Sequence, residues 1–109
     1  MSENIVPQLR AAREIDNVIG LLTHIGWCKS MEVQTDQNGY ATAFCIGGAL
    51  EHANTKYIRQ GMLNEWFHGQ GYEGGFVGFN DTFETSYNDV IFKLREFQRD
   101  VAEGRVALS

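Results

Sequence analysis

The run from Ala41 to Ala53 constrains the chain more than any other segment. Ala41, Ala43, Phe44, Cys45, Ile46, Ala49, Leu50 and Ala53 leave it almost without a polar face. Read as a helix, a segment apolar all round belongs at the centre of a core. Gly47 and Gly48 stand in its middle, where each costs roughly 1 kcal/mol against alanine in a helix interior. Close approach of another backbone would account for that cost, and so would a kink. The rest of the chain has to supply the shell. With 109 residues, 43% of them hydrophobic, seven Phe and two Trp, it can form one domain with a sizeable core.

The flanking segments give clearer periodicity. Leu9, Ala12, Ile15, Val18, Ile19, Leu22 and Ile25 recur in steps of three and four, which predicts a helix over about 7–25. Pro7, the only proline, suits its first turn. Glu14 and Asp16 fall on the opposite, wetted face, and Gly26 marks the stop. Residues 27–40 read as a connector. Met31 to Thr35 alternates weakly and Asn38-Gly39 is a turn signal, so a hairpin is allowed, with a very short return strand. Thr55 is a candidate N-cap for a helix carrying Tyr57, Ile58, Met62, Leu63, Trp66 and Phe67 and ending near His68-Gly69. Gly69 to Gly78 holds five of the twelve glycines and reads as a loop, with Phe76 to Phe79 a brief strand or buried crossing. Ser86 followed by Asp89 predicts a capping box for a final helix with Val90, Ile91, Leu94, Phe97 and Val101 on one face, closed by Glu103-Gly104. The expected fold is mainly α: a compact four-helix single domain over 1–109, with a glycine- and aromatic-rich loop and at most one short strand pair.

Several short motifs occur in a recognisable order. They are Gly26-Trp27-Cys28 after the amphipathic helix, Cys45-Ile46-Gly47-Gly48-Ala49-Leu50, the turn Phe79-Asn80-Asp81, and Ser86 with Asp89-Val90. In this order the chain resembles a small domain family of actinobacteria and their phages that has no assigned activity. The second motif is similar to that family's Cys-x-x-Gly-Ala-Leu helix, and the third to its aromatic-Asn-Asp turn. The chain departs from the pattern at Gly47, where a large apolar residue is expected, at Phe79 in place of tryptophan, and at Lys29 in place of a polar-Gly pair after Cys28. The resemblance implies a helical fold and a bacterial or phage origin, and it supplies no chemistry.

Charge and cysteine usage exclude several classes. Fourteen acidic residues against nine scattered basic ones give a net charge of −5, and nucleic-acid binding needs clustered Lys and Arg. Lys56, Tyr57 and Arg59 are the nearest thing to a basic aromatic cluster, but Glu51 and Glu65 offset them. Two cysteines, Cys28 and Cys45, are too few for a disulfide scaffold and sit in apolar surroundings. No secretory signal is expected from Met1-Ser2-Glu3-Asn4, and no stretch has the roughly 20 apolar residues of a membrane helix. A cytoplasmic location, in the host if the chain is phage-encoded, is the expectation.

The chemical candidates are few. Thiol catalysis would pair Cys45 or Cys28 with a base such as His52 and an orienting Asp81. Yet His52 lies seven residues after Cys45, roughly 10 Å along a helix, too far for contact. A zinc site from His24 and Cys28 is disfavoured by Gly26 between them and by the lack of paired ligand motifs, so neither metal nor cofactor is expected. Asn80-Asp81 reads either as a polar pair in a pocket or as a turn bonding its own backbone. The Gly69–Gly75 run lacks the strand and the Lys-Ser/Thr of a phosphate loop. Trp66, Phe67, Tyr72, Phe76 and Phe79 crowd it, and exposed together they would form a recognition surface. The expectation is therefore a small non-enzymatic binding or regulatory protein that acts on a host protein or as a homodimer, with those five rings as contacts. The alternative is a small enzyme or ligand-binding domain with a pocket of Cys28, Cys45, His52, Asn80 and Asp81.

Overall fold

The computed structural model describes residues 5–108; the N-terminal tetrapeptide read for a leader lies outside them. Five helices and one two-stranded antiparallel sheet follow in the order α1 (Ile5–His24), β1 (Val33–Thr35), β2 (Ala41–Phe44), α2 (Ile46–His52), α3 (Gln60–Gly69), α4 (Gly75–Asp81) and α5 (Tyr87–Ala102). The fold is mainly α, with five helices where four are expected. None is long and apolar enough to cross a membrane among the described residues.

Helix α1 is the spine. At 20 residues it runs about 30 Å. Its buried stripe is Ala11, Ile15, Val18, Ile19 and Leu22, so the spacing of three and four holds, but Leu9 and Ile25 at the ends are largely exposed. Helix α5 packs along it, α2 packs on it from another side, α2 meets α4, and α4 meets α3. Helix α5 begins with the expected capping box: the Asp89 N–H donates to Ser86 Oγ at 3.2 Å and the Ser86 N–H to Asp89 Oδ2 at 2.9 Å. The Ser86 backbone bond holds the Asp89 carboxyl below its usual range. Val90, Leu94, Phe97 and Val101 then face the core. Across the α1–α5 seam, Arg95 and Gln98 both donate to Asp16 Oδ1, at 2.7 and 2.8 Å.

The segment 41–53 is not one helix. Residues 41–44 form a strand, Cys45 is extended (φ −79°, ψ 176°), and the helix starts only at Ile46. A short apolar run reads equally as a buried strand or a buried helix, and tertiary pairing decides. Val33 pairs with Phe44 and Gln34 with Ala43, and the register shifts between Gln34 and Thr35. Asp36 builds the turn, its Oδ1 accepting from Asn38 N–H at 2.8 Å and Tyr40 N–H at 3.0 Å. Cys45 caps α2, its sulfur accepting from Gly48 N–H at 3.3 Å. Gly47 and Gly48 thus lie in the first turn, and backbone approach explains the second of them. A Cβ on Gly48 would sit 2.0 Å from the Glu32 carbonyl oxygen, which already accepts from Cys45 N–H at 3.1 Å.

Three further expectations change. Thr55 does not cap a helix; its hydroxyl donates to the Ile58 carbonyl at 2.6 Å, and α3 starts at Gln60. Residues 56–58 are held instead by Glu14, which is half-buried rather than on a wetted face. Its carboxylate accepts the N–H groups of Lys56, Tyr57 and Ile58 at 2.6, 2.9 and 2.9 Å. The glycine-rich loop is helical in its second half: α4 buries Phe76, Phe79 and Asn80, and Asn64 Oδ1 accepts from Phe76 N–H at 3.1 Å at its start.

Two glycine replacements separate close approach from chain entropy. Gly48→Ala is expected to cost about 2–3 kcal/mol in urea unfolding, because the methyl meets a hydrogen-bonded backbone carbonyl. Gly61→Ala, with nothing within 4 Å of the new carbon, is expected to stabilise by about 0.5 kcal/mol through the unfolded state. Similar effects of the two would refute the packing at Glu32.

Candidate functional site: a cleft over Asn80

After α1 the chain must turn sharply to meet β2, and Gly26 makes that turn at φ +151°, where a Cβ would lie 2.5 Å from the Thr42 carbonyl oxygen. Phe44 N–H then donates to Gly26 O at 2.9 Å and Cys28 N–H to Phe44 O at 3.0 Å. These bonds form one parallel rung, pairing Trp27 with Phe44. In a regular parallel ladder the next bond would run from Ile46 N–H to the Cys28 carbonyl. The side chain of Asn80 takes that place. Its Oδ1 accepts from Ile46 N–H at 3.1 Å, and its Nδ2 donates to Cys28 O at 3.1 Å.

The same carboxamide makes two more bonds. Oδ1 also accepts from Trp27 Nε1–H at 2.8 Å, and Nδ2 donates to Asp81 Oδ1 at 2.9 Å. All four positions of a primary amide are filled, and the residue is 1% exposed. Asn80 is therefore not the local turn that its neighbours in sequence predict; it ties α4 to the 27–28 and 45–46 segments. Asp81 extends the node, accepting from Ser30 N–H at 2.8 Å. Lys29 completes it from outside: Nζ donates to Thr82 O at 2.6 Å and Phe83 O at 3.1 Å, where a cation suits the carbonyl end of α4. It also lies 5.4 Å from the Trp27 ring.

Above this node is a half-enclosed cleft of about 260 Å³. Ile46, Gly47 and Phe76 give it apolar walls, Cys45, Asn80 and Asp81 its chemistry, and Met31 and Val77 its lips. Glu32 and Gln60 add polar edges. Three of the alternative pocket residues, Cys45, Asn80 and Asp81, are thus brought together. Cys28 stands just behind, its thiol donating to Met31 O at 3.5 Å. Burial, then the neighbouring Cys45, pushes the Cys28 thiol up. His52 is elsewhere. Its ring packs 4.7 Å from that of Phe44, and it borders a separate groove with His24 and Asp16. Neither sulfur has an imidazole in this cleft, and among the described residues no three His, Cys, Asp or Glu gather as a metal set.

The five loop aromatics do not make an exposed patch. Phe67, Phe76 and Phe79 are buried in the core, while Trp66 and Tyr72 are half-buried against it. Phe67 stands 5.0 Å from Phe79 and 5.6 Å from Tyr72, and Trp66 stands 5.4 Å from Phe97. Trp66 Nε1–H donates to Asp100 Oδ2 at 2.8 Å and thereby holds that carboxyl below its usual range. Helical folding of 75–81 turns Phe76 and Phe79 inward, an outcome that a loop reading misses. The exposed apolar residues near the cleft are instead Met31, Val77 and Phe83, at 50%, 54% and 92% exposure, with Leu9, Ile25, Tyr40 and Phe92 elsewhere. Val77 was legible in principle, as the odd residue off the 76-79-80 face.

Asn80→Ala is expected to cost about 3 kcal/mol, since it strands the Trp27 and Ile46 N–H groups. Asn80→Asp places a second carboxyl beside Asp81 and the Cys28 carbonyl, so its folded pKa is raised. Its deficit is therefore expected to grow as pH rises from about 4 toward the raised folded value, because only below the unfolded value of about 3.9 is the group protonated in both states. Thermal melts of both variants from about pH 4 to 8 check this; a pH-independent deficit for Asn80→Asp would refute the node. Set against protein-family models, curated proteins and solved structures, the chain matches none.

Proposed function

We propose that this chain is a small non-enzymatic binding protein that engages a protein partner through the cleft over Asn80 and the apolar residues around it. The observation that carries this reading is the placement of Met31, Val77 and Phe83. All three are half exposed or more, and they stand on segments stitched together by the Lys29 and Ser30 bonds to 81–83. Apolar side chains presented on a rigid polar frame are what a recognition surface requires, because little ordering remains to be done on binding. At about 260 Å³ the cleft has room for a partner's side chain. A bacterial or phage origin belongs to the same proposal and rests on the short motifs that resemble the actinobacterial and phage family.

A photo-crosslinking residue at position 77 or 83, introduced in the source cells, is expected to capture a discrete partner or a second copy of the chain. The same residue at exposed Arg13 is expected to capture neither. Val77→Asp and Phe83→Ser are expected to weaken the captured complex tenfold or more while changing stability by no more than about 0.5 kcal/mol. Equal capture from position 13, or full affinity in both variants, would overturn the assigned surface.

One observation favours a second reading, a small enzyme or ligand-binding domain: Cys45, Asn80 and Asp81 share the cleft. Thiol chemistry there would need a base beside the sulfur, and no imidazole among the described residues lines the cleft. In a Cys28→Ser variant, iodoacetamide is therefore expected to label Cys45 no faster than free cysteine at neutral pH. Faster labelling than free cysteine at neutral pH would favour the enzymatic reading.

A further inference from the structure

Cys28 and Cys45 stand next to each other in register. Trp27 and Phe44 form the parallel rung, so their side chains share one face, and those of the following residues, Cys28 and Cys45, share the opposite one. Phe44 fills the core, while Cys45 opens on the cleft. Both cysteines turn to the same neighbouring segment: the Cys28 thiol bonds Met31 O at 3.5 Å, and Cys45 N–H bonds Glu32 O at 3.1 Å. Adjacent strands lie about 4.8 Å apart, inside the roughly 4.4–6.8 Å Cα window of a disulfide. Asn80 is inserted at the following rung, between Cys28 O and Ile46 N–H. Both thiols are free and partly accessible. The influence of Cys45 on the Cys28 thiol is a second sign that the sulfurs sense each other.

We propose that Cys28 and Cys45 are a modification site that a peroxide converts to an intramolecular disulfide, fixing the wall of the cleft. Cys45, open to the cleft, reacts first. Its thiolate sulfur attacks one peroxide oxygen, the O–O bond breaks, and the departing hydroxide is protonated to water, leaving a sulfenic acid. The Cys28 sulfur then attacks the Cys45 sulfur, the S–O bond breaks, the S–S bond forms, and a second water leaves. Two thiols are oxidised and one peroxide is reduced to two waters. The new bond takes the sulfur that caps Gly48 N–H and ties the 28–45 hairpin into a closed loop. The inference stands apart from the binding proposal, since it needs no partner.

The test uses the intact reduced protein and hydrogen peroxide. Trypsin cuts after Arg13, Lys29 and Lys56, so Cys28 and Cys45 fall on separate peptides, 14–29 and 30–56. The expected product is a monomer lighter by two hydrogen atoms, with those peptides joined under non-reducing conditions and released by dithiothreitol. Cys28→Ser is expected to accumulate a dimedone-reactive sulfenic acid at Cys45 that the parent chain does not, and Cys45→Ser, which keeps a hydroxyl cap, is expected not to lose the two hydrogens. Closure should raise the thermal midpoint by on the order of 10 °C. Persistence of both thiols after treatment, only sulfinic and sulfonic products, or only intermolecular dimers would overturn the proposal.

Discussion

The carboxamide of Asn80 is the constraint on which the rest of the site depends. Two extended segments, 26–28 and 44–46, begin a parallel ladder and then diverge. Divergence of buried backbone leaves a donor and an acceptor without partners, each costing roughly 1–3 kcal/mol if left so. Asn80 supplies both complementary groups from α4, and its remaining two valences take Trp27 and Asp81. Aspartate has no donor to offer the Cys28 carbonyl, and leucine has neither group. The node therefore fixes where α4 stands, which in turn sets the separation of Phe76 from Ile46 and so the width of the cleft.

The same device recurs. Glu14 on α1 closes the 56–58 segment by accepting three backbone N–H groups, and Asn64 on α3 receives the N–H of Phe76. In each case a polar side chain on a helix acts as the missing backbone partner of an irregular segment. The long connections then need no strands of their own, because buried backbone groups only have to be paired, whatever the partner.

These long-range caps also mark the limit of what the sequence discloses. Helices α1 and α5 are legible because their signals are local: apolar steps of three and four, Pro7 at one start, Ser86 and Asp89 at the other. The hairpin turn is legible for the same reason, at Asn38-Gly39. Residues 41–53 mislead because a strand and a helix that are both buried share one apolar pattern, and only the approach of Glu32 and Trp27 separates them. Helix α4 is hidden by glycines and by its shortness, since a helix of seven residues is marginal in water and holds only by packing. With α4 unseen, Phe76 and Phe79 read as loop rings free to meet a partner, Asn80 as a turn residue, and Val77 as unremarkable. Of the site, the pairing of Cys45 with Asn80 and Asp81 is legible as one alternative, and the seven-residue spacing already separates His52 from Cys45; that His52 lies outside the cleft altogether follows from its packing on Phe44.

The seam between α1 and α5 joins residues separated by 79 and more positions, Asp16 with Arg95 and Gln98. A ribosome delivers α1 long before α5. Until α5 clears the exit tunnel, the stripe of Ile15, Val18, Ile19 and Leu22 lacks its main cover, so the nascent chain must carry an unsealed apolar helix while the intervening segments are made. This seam can close only once Val90 to Val101 have emerged, which makes their arrival the point at which α1 is sealed.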